Sequence, residues 1–174
     1  KQYKHYGEIV PLTDLNDIVF GTWDAYPDNA YEAAINAEVL KEKDINPVKD
    51  ELEKIVPMKA AFDHDYAKRI EGENIMKGAT RKEMIENLRK DISDFKKNNN
   101  CARIVVIWAA STEIYVPYYS PVHDSLADLE KAIEANDKEH IAPSMCYAYA
   151  ALKEDAPFIM GAPNTTVDIP AMWE

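Results

Sequence analysis

Small and polar side chains directly follow three apolar runs of the sequence, and they are the residues best placed to do chemistry. They occupy residues 21–24, 109–113 and 161–166. In open sheets of parallel strands, ligands bind in the crevice beyond the carboxyl ends of the strands. There an aspartate such as Asp24 suits a ribose hydroxyl, and small residues let a flat cofactor approach the backbone. The three segments are therefore either parts of one ligand site or ordinary turns, and spacing alone does not decide.

Other catalytic patterns are missing from the sequence. The G-x-G-x-x-G fingerprint of dinucleotide-binding proteins does not occur, and Ser111 lacks the flanking glycines of a nucleophile elbow. The four histidines are scattered, without the helical spacing of metal ligands. Asp63, His64 and Asp65 could bind a metal weakly, although such a triplet is more typical of a solvated turn. We therefore predict no metal site.

Three tyrosines, Tyr115, Tyr118 and Tyr119, lie close together in a segment rich in tyrosine and proline. Aromatic rings in such a segment could stack on a base or a sugar. They could also pack against the domain that carries them, which is the more common arrangement for a loop. The sequence leaves both interpretations open.

The apolar runs themselves predict the strands that position the candidate segments. Residues 18–20 and 157–160 are short runs that end at a glycine. Residues 101–110 form a near-continuous apolar run, which is typical of a buried central strand. Residues 56–62 are either a short strand or an extended connection.

Helices are predicted between these strands. They cover residues 30–40, 81–97, 126–133 and 144–153, with a further helix that starts at residues 46–47. Asn29 and Glu32 have the spacing of a capping box, as do Thr80 and Glu83, and Ser144 is the predicted cap of the last helix. Helices that alternate with buried strands indicate an α/β fold with an open, mainly parallel sheet and flanking helices.

Composition limits the class of the protein and its partners. A chain of 174 residues with 47% hydrophobic residues suits one globular domain. The net charge of -11 repels phosphate backbones, so we expect no nucleic-acid partner. No apolar run reaches the roughly 18 residues of a membrane span, so we expect no membrane partner either. Cys101 and Cys146 each lie in an apolar stretch, which favours free thiols and a reducing cytoplasm.

Four segments of the chain resemble blocks of the inositol-3-phosphate synthase family, and they occur in the family's order. They are IVFGTWDAYPDNAYEAA, ARIVVIWAASTEIY, APSMCYAYAALKEDAPF and MGAPNTTVDIPA. The resemblance implies that residues 1–174 are a partial NAD-binding, Rossmann-like domain of a longer enzyme, lacking the first Gly-rich βα unit. Residues 163–174 would begin the connection to a missing catalytic and tetramerisation domain. The absence of an initiator methionine at Lys1 agrees with a fragment or a processed product.

The resemblance also implies a reaction and a set of site residues. The family converts glucose 6-phosphate to inositol 3-phosphate with bound NAD, through oxidation at C5, enolisation, aldol closure and reduction. Asn164 would contact the substrate. The cofactor-binding residues implied by matching positions are Asp24, Ala60, Ala61, Ala109, Ala110, Ser111, Thr112, Gly161 and Ala162.

Departures from the family pattern narrow these expectations. Four positions differ from the residues of eukaryotic members, which suggests a prokaryotic-type member: Ala109, Ser111, Met160 and Ala162. No lysine of the chain matches a catalytic position, so we expect no catalytic residue here and no activity from this piece alone. For the full-length protein we expect a cytoplasmic homotetramer that acts in inositol and phospholipid biosynthesis. Two alternatives are another NAD-linked oxidoreductase and a non-catalytic nucleotide-binding or assembly module.

Overall fold

The computed structural model describes residues 4–174, which form an α/β arrangement of short strands and flanking helices. The strands are β1 (Trp23–Asp24), β2 (Met58–Lys59), β3 (Val106–Trp108) and β4 (Phe158–Met160). The α-helices are α1 (Ala30–Ala37), α2 (Glu42–Ile45), α3 (Lys49–Leu52), α4 (Arg81–Asn98), α5 (Leu126–Glu134) and α6 (Pro143–Lys153). Turns of 3₁₀ helix cover Tyr6–Glu8, Leu15–Asp17, Asn46–Val48 and Pro170–Met172.

All the strand pairing among the described residues is parallel. Strand β1 pairs with β2, placing Trp23 opposite Met58, and β3 pairs with β4, placing Ile107 opposite Ile159. The predicted α/β class with parallel strands and flanking helices is confirmed. Within residues 4–174 the strands form two separate pairs rather than one continuous sheet.

The predicted buried strand at residues 18–20 is wrong. These residues lie outside any strand, and the side chain of Phe20 is 68% exposed. Pairing begins only where Thr22 accepts a hydrogen bond from the backbone N–H of Met58. An apolar run becomes a strand only where a partner satisfies its backbone groups, and residues 18–20 have no such partner in the described part of the chain.

The apolar run at residues 101–110 forms a much shorter strand than predicted. Only β3 is extended and paired, and within it Val106 is buried whereas Ile107 is 63% exposed. One face of the β3–β4 pair packs against α6, and the other face presents Val105, Ile107 and Ile159 to solvent. An apolar surface of the sheet is therefore exposed.

The two predicted capping boxes are confirmed. The side chain of Asn29 accepts from the N–H of Glu32 at the start of α1, and Thr80 accepts from Glu83 at the start of α4. Helix α1 ends before residue 40 because Glu38 turns into the left-handed region, at φ 53°.

Two other predicted helix starts need correction. The second helical segment begins at Glu42, four residues before the predicted start, and a 3₁₀ turn interrupts it where Pro47 offers no backbone N–H. Helix α6 is not capped by Ser144. Its N-cap is Ala142, and Pro143 holds the first helical position, for which its fixed φ is suited.

The core lies where α6 packs against α4. Ala148, Ala150 and Ala151 of α6 are fully buried, and their small side chains let the helix approach α4 closely. Leu88 and Ile92 fill the α4 side of this contact.

Both cysteines are free thiols, as predicted. No helix within residues 4–174 has the length and hydropathy needed to cross a bilayer.

Candidate functional site

Tyr147 of α6 joins the two strand pairs. Its ring lies 5.4 Å from that of Trp23 in β1 and 5.3 Å from that of Trp108 in β3, measured between centroids. Its hydroxyl accepts a 2.9 Å hydrogen bond from the backbone N–H of Ala61, just beyond β2. Burial raises the pKa of the Tyr147 phenol, so it stays protonated at neutral pH. This one side chain therefore sets the position of the β2 end relative to Trp108.

Asp24 lies at the carboxyl end of β1, where the sequence predicted a ribose-binding carboxylate. Its Oδ1 accepts a 2.9 Å hydrogen bond from the backbone N–H of Tyr26, which fixes the side chain. Its Oδ2 takes part in no hydrogen bond among residues 4–174, and the side chain is exposed. One carboxylate oxygen is thus available to accept from a ligand hydroxyl.

The segment around Asn74 holds this strand end in place. The Asn74 side-chain amide donates to the carbonyls of Asp24 and Met58, each at 3.0 Å, and so bridges β1 and β2. Gly72 packs directly on Ala25, because a Cβ at Gly72 would lie 2.1 Å from the Ala25 carbonyl oxygen. A side chain at this position would push the segment away from the end of β1.

Ala60 and Ala61 are placed less favourably for cofactor contact than the sequence predicted. Both side chains are buried, at 7% and 3% exposure. The N–H of Ala60 donates to Asn74, its carbonyl accepts from Met76, and the N–H of Ala61 donates to Tyr147. Because both N–H groups and the Ala60 carbonyl are already paired, the two alanines can offer a ligand apolar contact and, of their backbone groups, chiefly the Ala61 carbonyl.

The ends of β3 and β4 lie in direct contact. The N–H of Gly161 donates to the carbonyl of Trp108 at 2.8 Å, and a Cβ at Gly161 would lie only 2.6 Å from that oxygen. Glycine is thus required for this approach. The Trp108 Nε1 is shielded from solvent and has no hydrogen-bond partner among residues 4–174.

Residues 109–112 follow β3 as an exposed, irregular segment. Ala109 and Ala110 leave their backbone accessible, and the hydroxyls of Ser111 and Thr112 form no hydrogen bond with other described residues. Ala162, beyond β4, is half-buried. Small side chains, open backbone and two free hydroxyls suit a surface on which a flat cofactor can lie.

Glu113 is a buried carboxylate behind this surface, with 9% of its area exposed. Its Oε2 accepts a 3.0 Å hydrogen bond from the backbone N–H of Ser144 in the first turn of α6. Its Oε1 accepts from the Ser144 hydroxyl and, at 3.0 Å, from the amide of Asn164. Burial raises the pKa of Glu113, and these donors oppose that rise by favouring the carboxylate.

Asn164 belongs to the same network. Its Nδ2 donates to Glu113 and also to the carbonyl of Ile114, at 3.4 Å. The neighbouring Thr165 hydroxyl donates to the carbonyl of Val116 at 2.6 Å. The loops beyond β3 and β4 are therefore joined side by side over residues 113–116 and 164–165.

The tyrosine-rich loop packs in part against two histidines. The ring of Tyr119 meets that of His140 edge to face at 4.8 Å, and Tyr118 lies 6.0 Å from His123. His123 is fully buried, and its Nδ1 accepts from the backbone N–H of Tyr119. Tyr115 remains 59% exposed and lines an open cavity of about 400 Å³. Tyr118 and Tyr119 also remain 44% and 39% exposed, and Tyr119 lines the same cavity, so the loop keeps three tyrosines accessible beside its internal packing.

Asp63 of the Asp63–Asp65 triplet has a structural partner. Its Oδ2 pairs at 2.7 Å with the guanidinium of Arg81, which is completely buried and also donates to the carbonyl of Ile141. Burial alone would raise the pKa of Asp63, but the hydrogen bond and charge of Arg81 lower it overall. Within residues 4–174 no three acidic, histidine or cysteine side chains converge on a common point.

Three residues of this site were not assigned from the sequence. No sequence pattern marks Tyr147 or Asn74 as a site residue, because their hydrogen-bond partners lie far along the chain. Glu113 is weakly marked, since it is the single charged residue between the apolar run at 101–110 and the tyrosine-rich loop. A charge directly after a buried strand needs partners, and this could have singled it out.

A protein-family model described as myo-inositol-1-phosphate synthase, which represents an NAD-binding domain, matches residues 1–174. Among curated proteins, inositol-3-phosphate synthase 1 of Bacteroides thetaiotaomicron is 70% identical over 167 residues, covering 96% of this chain and 39% of that protein. Inositol-3-phosphate synthase 1 of Oryza sativa subsp. japonica is 33% identical, covering 99% and 34%. The much higher identity to a bacterial relative agrees with the predicted prokaryotic type.

Among solved structures, the crystal structure of inositol-3-phosphate synthase from Caenorhabditis elegans superposes with a TM-score of 0.89 at 28% sequence identity. The match covers 96% of this chain and 33% of that one. The chain thus spans between a third and two fifths of the length of the relatives it matches.

Proposed function

The chain belongs to the myo-inositol-1-phosphate synthase family, and on that premise we propose that it is part of a longer, NAD-dependent inositol-3-phosphate synthase. The reaction is the conversion of D-glucose 6-phosphate to 1D-myo-inositol 3-phosphate. The match of the family model over all 174 residues is the observation that carries this proposal. The separate piece is proposed to be inactive, because it contains no lysine at a position that matches the family's catalytic lysines.

The strand ends fit the cofactor. Gly161 allows a contact between β3 and β4 that a Cβ would prevent, and the exposed residues 109–112 offer backbone and hydroxyl groups beside it. Asp24 offers a free carboxylate oxygen on the other strand pair. When bound, NAD supplies the hydride acceptor for the oxidation and the hydride donor for the later reduction.

In this proposal the residues of this chain bind and orient the cofactor and the substrate. Asp24 accepts from a ribose hydroxyl on the adenosine side, with Ala60 and Ala61 as apolar backing. Residues 109–112, with Gly161 and Ala162, line the rest of the cofactor. Asn164 contacts the sugar-phosphate substrate. A net charge of -11 gives no general attraction for phosphates, so local N–H and hydroxyl donors must hold the anionic groups.

The arrangement of the whole protein is a further part of the proposal. Val105, Ile107 and Ile159 form an exposed apolar face on the β3–β4 pair. We propose that the remainder of the longer chain, or a second copy, covers this face, and that residues 163–174 begin the connection to a second domain. The full-length protein is proposed to be a cytoplasmic tetramer in inositol and phospholipid biosynthesis.

The direct test incubates the full-length polypeptide that contains this chain with glucose 6-phosphate and NAD. We expect inositol phosphate to form with a strict NAD requirement and no net accumulation of NADH, because the hydride is returned in each turnover. Net NADH formation would indicate the alternative of an NAD-linked oxidoreductase. Absence of both turnover and NAD binding would favour a non-catalytic assembly module and refute the synthase proposal.

Asp24 provides the residue-level test. Replacing Asp24→Asn should weaken NAD binding about ten- to hundredfold, since a charge-assisted hydrogen bond to the ribose contributes about 1.5–3 kcal/mol. Asp28→Asn is the matched control, because Asp28 is an acidic residue four positions further on that contacts the side chain of Asn36 instead. Equal NAD affinity for the two variants would remove Asp24 from the proposed site.

A further inference from the structure

Glu113 connects three elements that meet at the candidate site. It follows the loop after β3, its Oε2 is bonded to the first turn of α6 through Ser144, and its Oε1 is bonded to the loop after β4 through Asn164. The Ser144 hydroxyl lies 2.8 Å from that of Thr166, which extends the network along the second loop. This buried carboxylate therefore ties the loop after β3 to the loop after β4, beside the bond from the Thr165 hydroxyl to the Val116 carbonyl.

The same carboxylate fixes which way the Asn164 amide points. The Nδ2 group of Asn164 faces two acceptors, Glu113 Oε1 at 3.0 Å and the Ile114 carbonyl at 3.4 Å. A carboxylate and a carbonyl only accept, so a flipped amide would place its oxygen against two oxygens. The Oδ1 of Asn164 forms no hydrogen bond with any residue of the described chain, and the side chain is not fully buried. Asn164 thus presents a hydrogen-bond acceptor to whatever binds beside it.

We propose that Glu113 is the positioning residue of this site, and that it holds Asn164 with its acceptor oxygen directed at a hydroxyl of the sugar-phosphate substrate rather than at its phosphate group. The proposal rests on the proposed synthase function and deepens it. Phosphate oxygens accept hydrogen bonds at neutral pH, so they cannot pair with the outward Oδ1, whereas a sugar hydroxyl can donate to it.

The test uses the full-length polypeptide with Glu113→Gln. The new amide at position 113 brings a donor to face Asn164, so the Asn164 amide flips and presents its NH₂ group outward. We expect the KM for glucose 6-phosphate to rise about ten- to hundredfold, as a mismatched buried hydrogen bond implies, while NAD affinity changes less than about threefold. Glu130→Gln is the control for the same chemical change, since Glu130 contacts Tyr149 and Lys153 away from the site.

A second variant separates positioning from simple destabilisation. In Glu113→Gln with Asn164→Asp, the amide and the carboxylate exchange places, so the bond between the two side chains and the outward acceptor are restored, and only the longer 3.4 Å contact with the Ile114 carbonyl is lost. We expect its KM to return to within about threefold of wild type. An unchanged KM in Glu113→Gln, or a double variant no better than the single one, would overturn the proposal. A loss confined to NAD affinity would overturn the assignment of the acceptor to the sugar phosphate.

Hydrogen exchange of the ligand-free protein tests the positioning role independently of turnover. Glu113→Gln should increase amide exchange in residues 109–116 and 162–166, with no increase in the middle of α4. If wild type has no synthase activity, the proposed function fails, whereas the exchange result still decides whether Glu113 holds the loops. Unchanged exchange in both loops would refute the positioning role whatever the enzyme assay shows.

Discussion

Gly161→Ala tests the contact between the two strand ends that form the centre of the candidate site. The added Cβ would lie 2.6 Å from the carbonyl oxygen of Trp108, a backbone atom that cannot rotate away. Strands β3 and β4 must therefore separate at this end. The 2.8 Å hydrogen bond from Gly161 N–H to Trp108 is then stretched or lost.

The expected magnitude follows from these contacts. Overpacking costs about 1–3 kcal/mol, and the lost hydrogen bond costs about 1 kcal/mol more. Alanine also lowers the entropy of the unfolded chain, which offsets about 0.5–1 kcal/mol. The net loss in the free energy of unfolding is therefore about 2 kcal/mol, or roughly 4–8 °C in Tm for a chain of this size.

The assay measures the free energy of unfolding of Gly161→Ala in urea, with Gly7→Ala as the control variant. A Cβ at Gly7 would meet nothing within 4 Å, so that variant should be neutral or slightly stabilised. We also expect NAD affinity to fall in Gly161→Ala alone, because the cofactor surface is built on the same strand ends. A free energy of unfolding within about 0.5 kcal/mol of wild type for Gly161→Ala would refute the close contact.

Three further predictions concern the side chains that support the site. Tyr147→Phe leaves the buried N–H of Ala61 unpaired and should cost about 1–3 kcal/mol in the free energy of unfolding, measured in urea. Arg81→Met leaves the Asp63 carboxylate without its partner and should cost about 3–5 kcal/mol, and a loss below about 1 kcal/mol would contradict the buried pair. Burial lowers the pKa of His123, so its contribution to stability is complete above the unfolded pKa of about 6.5 and is lost as pH falls from there through the lowered folded pKa. The free energy of unfolding should therefore decrease from pH 7 to pH 5, and His123→Gln should flatten that decrease.

Local patterns predicted the helices better than the strands. The capping boxes of α1 and α4 depend on residues three positions apart, and both are formed. The strand at residues 18–20 was wrong because a strand needs a partner, and pairing is not visible in a single apolar run. Ser144 was assigned as a cap because its residue type suits that position, whereas its side chain in fact pairs with Glu113, 31 residues away.

In the candidate site, too, local features were predicted from the sequence and contacts between distant residues were not. The strand end at Gly161 was located from the apolar run before it, whereas Asp24 was singled out after a run, residues 18–20, that is not a strand. The resemblance supplied the roles of both residues. Ala60 and Ala61 could not be recognised as buried from the sequence, because the groups that cover them come from Asn74 and Tyr147. Side-chain networks between distant segments, rather than the elements themselves, were the part that local reasoning missed.

The structure of the full-length polypeptide with NAD bound is the measurement that tests the central claim most directly. We predict that the adenosine ribose lies against Asp24 and that the cofactor continues along residues 109–112 toward Gly161 and Ala162. Asn164 should then face the substrate pocket with its Oδ1, still held by Glu113. NAD bound away from the carboxyl ends of β1, β3 and β4 would contradict the proposed site.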